Sequence, residues 1–115
     1  RHPHSEVNVG VGSLPGLDSL APGATIVQFS TEFCASCPGT RRLLTQIVDD
    51  GAGLELVEVD LTHRADLARD FKILQTPTVF VIDADGVLRT RFGGAPRRAD
   101  VLAAIDSAST ERQAA

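Results

Sequence analysis

The sequence predicts an α/β domain whose mixed central β-sheet is flanked by helices on both faces. Three observations carry this reading. The compact β-rich run at 24–30 is followed by apolar residues at helical spacing, and then by the alternating run at 54–60. A third apolar run at 78–82 turns through Asp83-Ala84-Asp85-Gly86 into a partner at 87–92. A last helical stripe follows Gly93-Gly94 and Pro96. The strand–helix–strand unit implies a parallel pair with a right-handed crossover, and the hairpin adds an antiparallel portion.

Each element has its own signal. Residues 1–23 hold three of the six prolines and several glycines, and read as a partly flexible N-terminal extension beginning with the loosely attached Arg1-His2-Pro3-His4-Ser5. Within it, 7–11 alternate and predict a short edge strand, and 14–20 predict a helical turn. The run 24–30 is too short for a helix and reads as a buried central strand. After it, Leu43, Leu44, Ile47 and Val48 recur at helical spacing up to Asp50, and Gly51 and Gly53 end that helix. The next helix spans 63–71 with Thr62 as its N-cap. The last spans 99–107, with Val101, Leu102 and Ile105 as its buried stripe. From Ser109 the chain is polar and is expected to fray. The domain is therefore placed at 24–108 and the tail at 109–115.

Composition narrows the functional classes. A chain of 115 residues fits one domain, and 43% hydrophobic residues supply a core, drawn mostly from Leu, Val, Ile and Ala because there are five Phe and no Trp, Tyr or Met. A net charge of -4 gives no electrostatic reason to expect nucleic acid as a partner. There is no run of 18 apolar residues that could span a membrane, and no signal peptide is expected within these residues. The chain starts at Arg1 rather than Met, which leads us to expect a fragment or processed product with an anchor or export signal upstream. Location is left open among cytoplasmic, membrane-tethered and extracytoplasmic. Two cysteines are too few for a disulfide scaffold or a four-cysteine metal site. A Cys2His2 site drawing on His2, His4 or His63 would need the terminus to fold back, so no metal is expected. Arg97-Arg98 reads as a solvated face.

The chemistry lies in Phe33-Cys34-Ala35-Ser36-Cys37-Pro38, placed where a buried strand turns into a helix. The first turn of a helix has unpaired backbone N–H groups and a partial positive charge. A thiolate there is stabilised, so its pKa falls below the free value of about 8.5, and the thiolate is the attacking form. Two intervening residues bring the second sulfur close enough to close a disulfide. Cys34, nearer solvent, is assigned as the nucleophile, and Cys37, one turn in, as the residue that resolves the mixed disulfide. Ser36 either donates to the Cys34 thiolate or serves the helix start. A purely structural bridge is the plainer alternative, but so short a loop adds little stability through chain entropy. Glu32 reads as a solvated turn residue.

The segment 27–37, then Thr76-Pro77-Thr78 before a hydrophobic strand, Asp85-Gly86 at a hairpin turn and Phe92-Gly93-Gly94 after the last strand resemble the thioredoxin superfamily in order and spacing, from about 24 to 105. Within it the chain is most similar to thioredoxin-like proteins of actinobacteria that follow a membrane anchor. The resemblance implies a thioredoxin fold and a thiol–disulfide oxidoreductase that reduces or exchanges disulfides in protein substrates. It implies no cofactor beyond the Cys34–Cys37 pair, a separate electron donor or acceptor, and a monomer. It also implies a substrate groove. Pro77 would be cis, which an X–Pro bond tolerates. Thr76 would offer backbone hydrogen bonds to an extended substrate, Gly93 would line the opposite wall, and Phe33 would replace the usual aromatic before the first cysteine.

Four departures from the family pattern stand out. The dipeptide between the cysteines is Ala35-Ser36 rather than Gly-Pro. Gln28 stands at the family's buried acid and cannot take a proton. Glu58 stands at its nearby lysine, and is either an exposed strand residue or a neighbour of Cys37. Pro38 replaces a customary basic residue. Proton transfer at Cys37 would then fall to Glu58 or a water, or resolution would be slower. These departures motivate an alternative, a non-enzymatic thioredoxin-like binding module with a weakly active or inactive pair. A metal-carrying site is a third reading.

Overall fold

The structure is a computed structural model that describes residues 7–114, with side chains described as far as Ser109. The chain runs β1 (Ala24–Ser30), α1 (Cys37–Asp50), β2 (Leu54–Asp60), α2 (Ala65–Asp70), β3 (Thr78–Ile82), β4 (Leu88–Gly93) and α3 (Arg98–Ala114). The sheet order is β2-β1-β3-β4. β1 pairs with β2 in parallel, while the β1–β3 and β3–β4 pairs are antiparallel. This is the mixed sheet that the sequence predicts.

Alternation along the strands separates two apolar layers. Val27 and Phe29 of β1, Val57 and Val59 of β2, and Phe80 and Ile82 of β3 point to one face. There they meet Leu67 of α2 and, from the segment before β1, Val9, Leu14 and Leu17. Phe29 and Phe80 pack edge to face with centroids 4.7 Å apart, and Phe71 lies beside both. Ala24, Ile26, Val79 and Val81 point to the other face, against Leu44 and Ile47 of α1 and Val101, Ala104 and Ala108 of α3. β1 is buried along its whole length because both of its faces are covered.

Several local expectations need correction. Residues 7–11 form no strand. A single antiparallel bridge, Asn8 to Val87, is made before the chain turns away at Gly10 and at Gly12, whose φ is +86°. The segment 14–20 is a series of turns rather than a helical turn, although Leu14 and Leu17 are buried. α2 begins at Ala65, capped by Arg64 rather than Thr62, whose hydroxyl is held by Asp60 instead. α3 starts one residue before 99 and continues to Ala114 rather than ending at 107. Its buried stripe is Val101, Ala104 and Ala108, whereas Leu102 is 46% exposed. An apolar letter at helical spacing marked Leu102 as core, but the i, i+3, i+7 row that meets the sheet is built from small residues.

The difference between Leu44 and Leu102 is measurable. Leu44→Ala should destabilise the protein by about 3 kcal/mol, because it opens a cavity in a closed layer. Leu102→Ala should cost less than about 1 kcal/mol. Urea midpoints at constant slope would check this, and equal losses would contradict the placement of α3.

Candidate active site

Sheet topology brings three loops to one end. β1 ends at Ser30 beside the start of β3, since Phe29 pairs with Thr78. β4 ends at the same place, with Gly93 paired to Thr78. The loop after β1 carries the cysteines, the loop before β3 carries Thr76 and Pro77, and Gly93 closes the set.

Cys34 and Cys37 form a disulfide with their Cα atoms 5.4 Å apart. Cys34 lies before the helix, in a turn where its N–H donates to Thr31 O (3.3 Å) and its carbonyl accepts from Cys37 N–H (3.3 Å). α1 begins on Cys37 itself, with Ser36 as N-cap, so the expected placement of Cys34 on the helix's first turn shifts by one turn. Ser36 makes no side-chain cap. Its Oγ lies 3.9 Å from Cys34 Sγ instead. Pro38 falls in the first turn, where its missing N–H leaves no helical bond unmade. Cys34 is half-buried and Cys37 is only 1% exposed.

The peptide between Thr76 and Pro77 is cis. The threonine hydroxyls of Thr31 and Thr76 meet at 3.3 Å and tie the proline loop to the cysteine loop. Thr78 Oγ1 donates to Gln75 O (2.7 Å), and Pro77 O accepts from Gly94 N–H (2.8 Å). Two shallow hollows adjoin this loop. One, of about 290 Å³, is lined by Thr31, Leu61, Ile73, Leu74 and Thr76 among others. The second, of about 190 Å³, includes Lys72, Arg91 and Gly93, and Leu74 and Gln75 line both. Two large apolar side chains stand out in solvent here, Phe33 at 89% and Leu74 at 95% exposed.

Gln28 is fully buried and donates from Nε2 to Cys37 O at 3.0 Å. Glu58, its neighbour across β1–β2, is held elsewhere. Arg41 of α1 donates to its two carboxylate oxygens at 2.6 to 2.9 Å, and Ser30 Oγ donates to Oε2 at 3.1 Å. The Arg41 guanidinium is raised above its ordinary pKa, first by the hydrogen bond to Glu58 and then by that carboxylate's charge. Arg41, Leu74, Gln75 and Thr31 are site neighbours that sequence reasoning missed. Leu74, an apolar residue in a loop directly before Thr76-Pro77, was the readable signal. No group of three or more His, Cys, Asp or Glu suited to a metal exists among the described residues. His2 and His4 lie outside them.

A hydrogen-bond chain links the end of β2 to the cysteine loop. Thr62 Oγ1 donates to Asp60 Oδ1 at 2.6 Å and accepts from Glu32 N–H at 3.0 Å. Asp60 is held below its ordinary value of 3.8, chiefly by that hydroxyl and then by Thr62 N–H. A carboxyl depressed in the folded state contributes stability above its unfolded pKa and loses it as pH falls through the folded value. Thr62→Val should move the Asp60 midpoint up toward 3.8 in a carboxyl NMR titration, and an unmoved midpoint would contradict this cause.

A family model described as thioredoxin matches residues 19–107. The chain belongs to the thioredoxin family. Solved structures agree on the fold. Chloroplastic thioredoxin z is 22% identical with a TM-score of 0.68, the match covering 77% of this chain and 80% of that one. A mutant thioredoxin from Halobacterium salinarum is 16% identical at TM-score 0.67, over 76% and 75% of the two chains. Mitochondrial thioredoxin 3 from Saccharomyces cerevisiae, in its oxidised form, is 20% identical at 0.64, over 74% and 78%. No curated protein matches the sequence. A Cys-x-x-Cys disulfide in this family's fold supports a thiol–disulfide oxidoreductase.

Proposed function

We propose that this thioredoxin-family protein reduces or exchanges disulfides in protein substrates, with Cys34 attacking and Cys37 resolving. The observation that carries the reading is the inequality of the two sulfurs. The half-buried Cys34 is bonded to the 1% exposed Cys37 beside the cis Thr76-Pro77 loop. In the reducing direction the Cys34 thiolate attacks a substrate disulfide, a mixed disulfide forms and one substrate thiolate leaves. Cys37 then attacks Cys34 Sγ, closes the Cys34–Cys37 bond and releases the second substrate thiol. A separate electron donor restores the dithiol.

Substrate contact is assigned to the Thr76 backbone, Pro77, Gly93 and the exposed Phe33. An extended chain laid along this edge would find Leu74 as a further apolar contact. Burial of one such side chain is worth about 1.5 to 3 kcal/mol, which is appreciable in a transient complex. Glu58 is a weak candidate for proton transfer because Arg41 and Ser30 already occupy its carboxylate.

The binding-module reading has one observation in its favour: Gln28 replaces an acid beside Cys37 and cannot carry its proton. A redox titration separates the two. The protein is equilibrated with glutathione at defined ratios of thiol to disulfide, quenched by alkylation and weighed. Reversible conversion of the pair by two electrons is expected. A pair that does not cycle leaves the binding module standing.

A further inference from the structure

Gln28 holds a polar atom that the exchange steps above do not use. Its Nε2 donates to Cys37 O at 3.0 Å. A backbone carbonyl only accepts, so the amide must turn its NH2 end to Cys37 and its oxygen away from that carbonyl. That oxygen, Oε1, is buried and has no hydrogen-bond partner among the described residues. Buried acceptors without partners are uncommon in folded proteins and destabilise the state in which they are left bare.

The disulfide state supplies no donor from Cys37, whose sulfur carries no hydrogen. Reduction changes that. A glutathione thiolate attacks Cys34 Sγ, the Cys34–Cys37 bond breaks, and the Cys37 sulfur leaves with the electron pair and takes up a proton. A second glutathione then attacks the glutathione sulfur of the mixed disulfide, releasing the Cys34 thiol and oxidised glutathione. The product has an S–H on Cys37, on the residue whose backbone already anchors the Gln28 amide.

We propose that Gln28 is a positioning residue for reduced Cys37: Oε1 accepts the Cys37 S–H, so the amide weights the pair toward the dithiol. This rests on the reading that the pair cycles. An apolar side chain at 28 acts on both states. It removes the bare acceptor from the disulfide form and the hydrogen bond from the dithiol form, and both changes favour the disulfide. A buried water is the rival partner for Oε1. It would be present in both redox states and would leave the equilibrium unmoved on substitution.

The test compares wild type, Gln28→Leu and Gln28→Met in glutathione buffers, counting free thiols by alkylation and mass. Position 28 lies in a fully buried strand, and the unbranched Met keeps a side chain of similar length if Leu packs badly. The expected result is an equilibrium constant shifted about tenfold toward the disulfide in Gln28→Leu, which is about 30 mV for this two-electron couple. The infrared S–H band of the reduced protein should also move to the position of a free thiol. Variants with the wild-type constant, or shifted toward the dithiol, would overturn the proposal while a cycling wild type leaves the functional reading intact. A wild-type pair that stays oxidised at every ratio would overturn both.

Discussion

Cys37→Ser should hold a protein substrate as a stable mixed disulfide on Cys34, while Cys34→Ser should hold none. The expectation follows from burial and position. Cys37 is 1% exposed at the first residue of α1, whereas Cys34 lies half-buried in the preceding turn. An external disulfide must approach the attacking sulfur in line with its own S–S bond, and that access exists only at Cys34. In Cys37→Ser the first exchange proceeds and the second cannot, since a hydroxyl does not displace a thiolate. The adduct should therefore approach one per protein, and turnover should fall to the uncatalysed rate. Non-reducing gels and intact mass of the complex read it directly. An adduct on Cys37 in Cys34→Ser would reverse the assigned roles.

The second large effect is on stability and lies at the far end of β3. Asp83 is fully buried after Ile82. Its Oδ1 accepts from the N–H groups of Asp85 (2.9 Å) and Val87 (3.0 Å), and its Oδ2 accepts from Arg89 Nε at 2.7 Å. One carboxylate thus shapes the whole β3–β4 turn, with Gly86 at a φ of +87° completing it. Asp83→Ala takes one partner from Arg89, whose side chain is 21% exposed and keeps another, and leaves two backbone donors without their acceptor. Breaking a buried pair from one side costs about 3 to 5 kcal/mol, and the residual exposure and remaining partner of Arg89 place this case near 3. Asp83→Asn keeps an oxygen for the two N–H groups and should lose less. Urea unfolding at unchanged slope measures both, and a loss below about 1 kcal/mol for Asp83→Ala would contradict the role. The redox equilibrium of Cys34–Cys37 should not move, because the turn and the cysteines occupy opposite ends of β3.

The strands and the cysteine motif were legible in the sequence for a physical reason. Runs such as 24–30 and 78–82 are buried on both faces, so every residue except Gln28 is apolar or small and no other element fits them. Helix ends were less legible. Thr62 has the chemistry of an N-cap, yet Asp60 two residues earlier competes for its hydroxyl and wins at 2.6 Å. Leu102 reads as core because periodicity counts apolar letters, but it cannot tell which row of α3 meets the sheet. At the candidate site, the Cys34–Cys37 pair was legible because its spacing is local, whereas Thr76 and Pro77 were legible only through the family resemblance. Arg41's claim on Glu58 was not, because it depends on how α1 lies over β2. The bare Oε1 of Gln28 is of the same kind: the letter Gln shows the loss of an acid, and only the packed structure shows which end of the amide faces Cys37.

The central claim is that Cys34 and Cys37 turn over protein disulfides. The most direct measurement is reduction of insulin by dithiothreitol with and without the protein, followed by turbidity of the released chain. Wild type should accelerate it, and Cys34→Ser should return it to the rate without protein. Equal rates for wild type, Cys34→Ser and no protein at all would contradict the account.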